Sequence, residues 1–478
     1  MITTKLFGTT AFAARFWPSF FGILGVLATY AIAWLLFGNK RIAFFSGMVL
    51  ASSFIYLALS RAVLTDMVFS VLVVITLGWA CLAFYRRQYK DIGIFLFFVF
   101  MGLAVLTKAV LGACFTLIPV VAFLTYTKAW RILKTPAMFW GFIAFCLIVI
   151  PWHGVMYKWY GQTFIDEYWH NVHVRRLFEA EHPKNDTWYF YLGLMFAGVM
   201  PWSLFIFPMI RMVYTAMVYL KKERQAFVFL LFWIVGVYIF VQPPHSKLAS
   251  YIFPVFPAIA ILIGVYLHKA MEGQAILSQR IIGYLWTVLL LVGSMVAIFV
   301  VPQYHTVVPD LKPVYVFSFL AVVCALFILF CTVTDRRMTV LVGYFSITVL
   351  VLVTLFLGRP YAEPWVSCKE ITDQFKQINY DDSVVLTSKF YARGVRFYTD
   401  RNIAVVDING KGFFSTHPIP FLNTPEKLLE FLVERPRTYA ILKQGDINRL
   451  KDLVGHRYKV EQIGNGIGGK YIIKIEKI

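Results

Sequence analysis

The chain has 478 residues, of which 59% are hydrophobic and only 15% charged, and it carries a formal net charge of +20. That much apolar surface excludes a soluble globular protein and suits repeated membrane spans of about 20 apolar residues each. The cations lie mostly in short loops between apolar runs, where they set topology, so the positive charge does not point to nucleic acid.

In chain order, apolar runs fall near 13–37, 43–59, 67–85, 91–106, 112–126, 137–150, 188–210, 226–242, 250–267, 281–301, 314–332 and 338–357. These predict twelve spans, with 91–126 also readable as one broken unit. Alternate loops carry Lys40–Arg41, Arg86–Arg87–Lys90, Lys128–Arg131–Lys134, Arg211–Lys221–Lys222–Arg224, Lys269–Arg280 and Arg336–Arg337, which is sixteen of the twenty-six Lys and Arg before residue 358. The positive-inside rule makes that face cytoplasmic. The opposite face then holds the polar loop 151–187, Arg61–Asp66, Lys108, His245–Lys247 and everything after 358. Eight of the nine histidines share it, His268 being the exception. An even number of spans places Met1 outside too. Met1–Arg15 has no signal-peptide pattern, so a further span upstream of this chain is expected.

Residues 358–478 differ in kind, with shorter apolar runs and denser charge. Ser383–Leu386, Ala404–Val406, Tyr439–Leu442 and Tyr471–Ile475 read as strands; Glu363–Phe375, Glu426–Glu434 and Ile447–Val454 read as amphipathic helices. The alternation predicts a small extracytoplasmic α/β domain, 358–478, after a membrane domain, 1–357. Its N-G-I-G-G run (Asn465–Gly469) precedes a strand and not a helix, so it predicts a hairpin turn and no nucleotide site. The six cysteines are scattered without metal-ligand spacing and are expected to serve packing.

The candidate chemistry gathers on the outer face. Asp66 is the only acid before Tyr85 and sits at the mouth of a span, where an ionised group needs a partner. Arg61, five residues earlier, is one candidate partner; a helix-capping role for Asp66 is the other reading. Lys108 lies in a tight turn between two apolar runs, either functional or snorkelling. His245 and Lys247 stand in P-P-H-S-K-L-A-S-Y-I-F-P (Pro243–Pro254), where flanking prolines hold the backbone away from regular helix. A lysine there can neutralise a phosphate oxygen as a point charge. In the 151–187 loop, His170, His173 and Arg176 are successively three apart, which on an α-helix sets them along one face. With Glu167, and His182 beyond, the histidines are candidate ligands for a divalent metal, although no H-E-x-x-H motif is present. The same face fits an anion, and plain hydrogen bonding is the third reading. Trp152, Trp169, Trp188, Tyr189 and Trp202 are expected as interfacial anchors.

Several of these motifs occur together in one known family. R-F-W-P-S (Arg15–Ser19), R-x-x-x-x-D (Arg61–Asp66), T-K (Thr107–Lys108), the P-W-x loop with H-P and W-Y-x-Y, and H-x-K-L-x-x-Y-x-x-P (His245–Pro254) recur there in this order. The chain resembles the integral-membrane glycosyltransferases of the protein O-mannosyltransferase superfamily, and among them the bacterial lipid A aminoarabinose transferases. The resemblance implies a polytopic α-helical membrane protein with a C-type glycosyltransferase fold in the bacterial inner membrane, its active site periplasmic. It implies transfer of a sugar from a polyprenyl-phosphate donor to lipid A, a protein or another glycan, with no certain cofactor. By resemblance Lys247 and Lys108 hold the donor phosphate, with Arg176, Arg61 and His245 beside them. Asp66 is the catalytic candidate, and His170, His173, Arg175 and His182 belong to the headgroup loop. Family members begin with a span and an acidic loop central to catalysis, which this chain is expected to lack; alone it is expected to bind donor without turnover. A flippase of lipid-linked sugars accounts for the spans but not for the outer α/β domain or the one-sided chemistry. A non-catalytic donor-binding relative is the third reading.

Overall fold

The computed structural model describes residues 2–179, 183–219, 223–304, 310–378, 384–408, 410, 419–435 and 437–478, without the side chains of residues 2, 171–173, 176 and 456. Lys221, Lys222, His182 and Ser383 therefore lie outside the described residues. Contacts group the chain into two compact units, Met1–Phe299 with Tyr315–Leu352, and Val300–Val314 with Val353–Ile478.

The apolar runs form α1 (Ala11–Phe37), α2 (Lys40–Ser52), α3 (Phe54–Arg61), α4 (Asp66–Tyr85), α5 (Lys90–Lys108), α6 (Val110–Thr127), α7 (Pro136–Ile165), α8 (Phe190–Gly198), α9 (Ile206–Tyr219), α10 (Arg224–Val241), α11 (Phe256–Met271), α12 (Ile276–Val300), α13 (Lys312–Val333) and α14 (Arg337–Val366). Among the described residues, ten helices are long and apolar enough to cross a membrane, or twelve if the bent pairs α2–α3 and α8–α9 each count as one span. Every predicted run meets one of these, and 91–126 is two helices. This is a multi-pass membrane protein. α11 is buried nearly all round and forms the centre of the bundle.

Two broken spans meet at their breaks. α2 and α3 are bent by 61° and α8–α9 by 112°. A break frees backbone groups, and in lipid these must be satisfied inside the protein. The Phe54 N–H donates to the Met200 carbonyl at 3.0 Å, the Trp202 indole N–H to Ser52 Oγ at 2.8 Å, and the Thr348 hydroxyl to the Ser52 carbonyl at 3.0 Å.

The polar stretch expected as a 151–187 loop is largely helical, which corrects that reading. α7 has 30 residues and carries Pro151 within it. At 1.5 Å per residue it is about 45 Å long, against about 30 Å of hydrocarbon, so its polar end continues beyond the span instead of breaking. It is interrupted only at Gly161 (φ 52°, ψ −131°), and Asp166–Val174 follows as a π-helix.

The second unit contains a six-stranded sheet, in the order β3-β2-β1-β4-β6-β5: β1 (Val385–Ser388), β2 (Ile403–Val406), β3 (Phe421–Leu422), β4 (Arg437–Lys443), β5 (Tyr458–Ile467) and β6 (Lys470–Lys477). β1 to β4 run parallel, while β6 is antiparallel to β4 and β5. Alternate residues feed two cores. Leu386, Ala404, Ala440 and Ile473 face α17 (Pro425–Val433) and α18 (Gln444–Val454). Val385, Val405, Ile441 and Ile472 face α15 (Lys369–Gln377) and α16 (Ala392–Thr399). The helix expected over Glu363–Phe375 is two helices, α14 ending at Val366 and α15 starting at Lys369. The turn expected over Asn465–Gly469 is only Gly468–Gly469, since Asn465–Ile467 belong to β5; it joins β5 to β6 and rests on the end of α14. A Cβ on Gly468 (φ +54°) would run into the Pro364 carbonyl oxygen. Lys470, buried beside it, donates to the carbonyls of Pro364 (2.6 Å) and Trp365 (3.4 Å), which the ending helix leaves unpaired.

Candidate active site

α4 and α5 form an antiparallel pair, so the start of one and the end of the other come together. Asp66 is the first residue of α4 and Lys108 the last of α5; their side chains form an ion pair, only 10% and 16% exposed. The partner of Asp66 is thus Lys108 and not Arg61. The five-residue spacing from Arg61 crosses the end of α3 and a turn, and Arg61 is exposed. Asp66 is the first residue of its helix, with Thr65 as the N-cap and no side-chain cap hydrogen bond, so what remains of the capping reading is a favourable charge at a helix N-terminus. Lys108 is held from two further sides, with its Nζ 5.5 Å from the Phe69 ring centroid and 5.0 Å from that of Tyr251. The chain turns sharply after Lys108 through Ala109 (φ 51°). Gly112 then lies so close that a Cβ there would meet the backbone of Ala104 and Val105 at 2.5 Å.

Tyr251 belongs to the proline-bracketed segment between α10 and α11, which forms short 3₁₀ turns at Ala249–Tyr251 and Phe253–Val255. The Trp233 indole donates to the Pro254 carbonyl at 3.0 Å and anchors its far end. At its near end, Lys247 Nζ donates to Asp186 Oδ1 at 2.9 Å and to the Thr187 carbonyl at 3.2 Å, while His245 Nδ1 lies 2.6 Å from Asp186 Oδ2. Hydrogen bonds from His245 and then Lys247 hold the Asp186 carboxyl below the usual carboxylate range. Ser246 Oγ and Gln242 Oε1 are buried here with no hydrogen-bond partner among the described residues. The structure brings Asp66, Lys108 and the 245–254 segment into one neighbourhood, through Tyr251.

The remaining candidates lie on the stretch after α7. His170 is exposed, and Glu167 and Arg175 are half-buried and engaged in contacts. The backbone from Asp166 to Val174 is a π-helix, whose hydrogen bonds close i→i+5 instead of i→i+4. The side chains of His173 and Arg176, and all of His182, lie outside the described residues. Among the described residues no group of three or more His, Cys, Asp or Glu stands ready to hold a metal. His153, singled out only as part of P-W-H, donates from Nδ1 to the Val149 carbonyl (2.8 Å) and pairs through Nε2 with the Tyr168 hydroxyl (2.8 Å). Sequence reasoning missed Asp186 and the placing of Phe69 and Tyr251 against Lys108. The one available signal for Asp186 was a lone acid between Lys184 and the Trp188–Tyr189 pair.

Residues 2–164 match the family described as dolichyl-phosphate-mannose-protein mannosyltransferase. The undecaprenyl phosphate-alpha-4-amino-4-deoxy-L-arabinose arabinosyl transferase 2 of Proteus mirabilis is 24% identical over 324 residues, 66% of this chain and 55% of that protein. An uncharacterized protein of Aquifex aeolicus is 25% identical over 289 residues, 60% of this chain and 54% of its own. The chain therefore spans about half the length of the curated relatives it matches. Crystal structures of ArnT from Cupriavidus metallidurans superpose on it. The one bound to undecaprenyl phosphate does so with a TM-score of 0.74 at 18% identity, covering 99% of this chain and 86% of that one. The fold is that of ArnT.

Proposed function

We propose that this protein is a glycosyltransferase that takes a sugar from a polyprenyl-phosphate donor and passes it to lipid A or another cell-envelope acceptor. The observation that carries the reading is the Asp66–Lys108 pair, a carboxylate and an ammonium held together under two aromatic rings where two apolar helices end. It is supported by the fold shared with a protein crystallised with undecaprenyl phosphate. The charge bias of the loops supports 1–357 as the membrane domain with 358–478 outside the cytoplasm, and the bacterial relatives support a bacterial inner membrane.

Lys108 spends one N–H on Asp66, and an ammonium has three, so donors remain for a phosphate oxygen. The acceptor attacks the anomeric carbon as the sugar–phosphate bond breaks, and the electron pair leaves with the polyprenyl phosphate. A cation already in place stabilises that developing charge without reorganising. Arg61, Arg175, Arg176 and His245 are the further headgroup cations, with His170, His173 and His182 on the adjoining stretch. Asp66 orders the site and is the candidate to receive a proton from a hydroxyl acceptor. A phosphate acceptor, with a second pKa of about 6, is largely ionised at neutral pH and makes no such demand.

The test is to incubate membranes containing the protein with a labelled polyprenyl-phosphate sugar and lipid A. Saturable retention of the labelled donor by these membranes, weakened in Asp66→Asn, is expected, and label entering the lipid A fraction would show turnover as well. A purified protein with no saturable affinity for polyprenyl phosphate would overturn the reading.

A further inference from the structure

Lys247 stands where a phosphate ligand is expected, yet its surroundings describe a different task. Its side chain is 5% exposed, and its ammonium already donates to Asp186 Oδ1 and to the Thr187 carbonyl. Of three N–H donors one is left, in a place almost closed to solvent. Lys108, by contrast, has one hydrogen bond and two ring faces.

The bonds around Lys247 all tie the same two stretches together. Asn185 Nδ2 donates to the Lys247 carbonyl at 3.3 Å, Gln242 Nε2 to the Thr187 carbonyl at 3.4 Å, and His245 meets Asp186. These stretches are far apart in sequence and share no helix or strand. Four residues beyond Lys247 stands Tyr251, the ring that faces Lys108. We infer that Asp186 and Lys247 are positioning residues: a strut, its lysine buried and its carboxylate a quarter exposed, that fixes the 242–251 segment so that Tyr251 faces Lys108, with Lys247 making no contact to the donor phosphate. This rests on the reading that the site binds a polyprenyl phosphate at Lys108.

Exchange of a buried ion pair for uncharged groups of similar volume costs little, whereas removing one partner strands the other. A strut and a ligand therefore respond differently to a double change. Lys247→Met, Asp186→Asn and the double variant are compared with wild type, as the full chain in nanodiscs. Polyprenyl phosphate is the probe, and thermal unfolding is recorded on the same samples. In the double variant the amide that replaces the Asp186 carboxylate still offers an acceptor to His245, and the Thr187 carbonyl keeps its bond from Gln242. The expected result is about a tenfold loss of affinity in each single variant and recovery to within about threefold in the double, removal of the stranded charge being worth roughly one decade of Kd. If the double variant binds as weakly as Lys247→Met while its Tm recovers, Lys247 touches the phosphate and the inference falls. If wild type itself binds no polyprenyl phosphate, the proposed function falls. The strut is then judged on Tm alone, where recovery in the double variant supports it and additive losses overturn it.

Discussion

Replacing Lys108 by Met isolates the cation on which the proposed chemistry turns. A hydrogen bond to a charged group is worth about 1.5–3 kcal/mol, so losing one from the donor phosphate weakens its Kd by about 10- to 160-fold. The fold loses some stability, because the Asp66 side chain is only 10% exposed and removing one partner of a buried pair strands the other. Asp66 is left without its ammonium, but it opens α4, where the helix dipole favours a carboxylate by about 0.3–1 kcal/mol. The contacts to Phe69 and Tyr251 contribute about 0.5–1 kcal/mol each at partly exposed sites, and the Met side chain keeps their apolar part. Lys108→Arg should restore only some of the affinity, because a planar fork does not reproduce a point charge between two rings. The assay is titration of the purified protein in nanodiscs with polyprenyl phosphate, with Tm measured on the same preparation. A Kd within about threefold of wild type in folded Lys108→Met, whatever its Tm, would show that Lys108 does not meet the phosphate.

Other outcomes follow from the same structure. Lys184→Cys and Lys459→Cys, both exposed, should react with a membrane-impermeant maleimide in whole cells above the background of the native thiols; protection of both would reverse the orientation. Gly468→Ala should destabilise the second unit by about 1–3 kcal/mol from backbone strain alone, with the Pro364 clash added. Gly445→Ala, in open space within α18, should stabilise it by about 0.5–1 kcal/mol; thermal unfolding reads both, and a neutral Gly468→Ala would remove the turn's supposed constraint. Burial pushes the Lys470 ammonium below its ordinary range, with Cys368 and Glu370 pulling it back. The unfolded chain thus holds that proton to higher pH than the folded one, and stability rises with pH through this window, below the ordinary lysine range. Lys470→Met should lose that rise, so hydrogen exchange of the β5–β6 hairpin should show wild type gaining on the variant as pH increases. Parallel pH curves would contradict the assignment.

The spans were legible because an apolar run of sufficient length has few alternatives in a membrane protein, and all twelve runs meet helices. The strands Ala404–Val406, Tyr439–Leu442 and Tyr471–Ile475 were legible for a related reason: short β-branched and aromatic runs between turn residues. β5 was not read as a strand, since Tyr458–Ile467 is largely exposed and polar on an edge of the sheet. The His170–Arg176 spacing was read at 3.6 residues per turn, whereas the backbone through Val174 is a π-helix, and the side chains of His173 and Arg176 lie outside the described residues. The site itself was half visible. Asp66, Lys108 and Lys247 each stood out as ions beside apolar runs, but sequence spacing favoured Arg61 as the partner of Asp66. The true partners lie 42 residues away for Asp66 and 61 for Lys247, and only the antiparallel return of α5 on α4 and the clasp at Asp186 bring them together.

The joining of Asp66 to Lys108 also bears on how the chain is made. During synthesis α4 emerges with a lone carboxylate at its leading end, and its counter-charge is absent until all of α5 has followed. An unpaired charge at the centre of a span costs about 2.5–3.5 kcal/mol on translocon scales, and one at a helix end such as Asp66 costs less. The two helices, neutral as a pair and closed by a short connection at Arg87–Tyr89, therefore pass into the bilayer most cheaply as one hairpin, and a chain arrested between Tyr85 and Lys108 would present the membrane with an acid that has nothing to answer it.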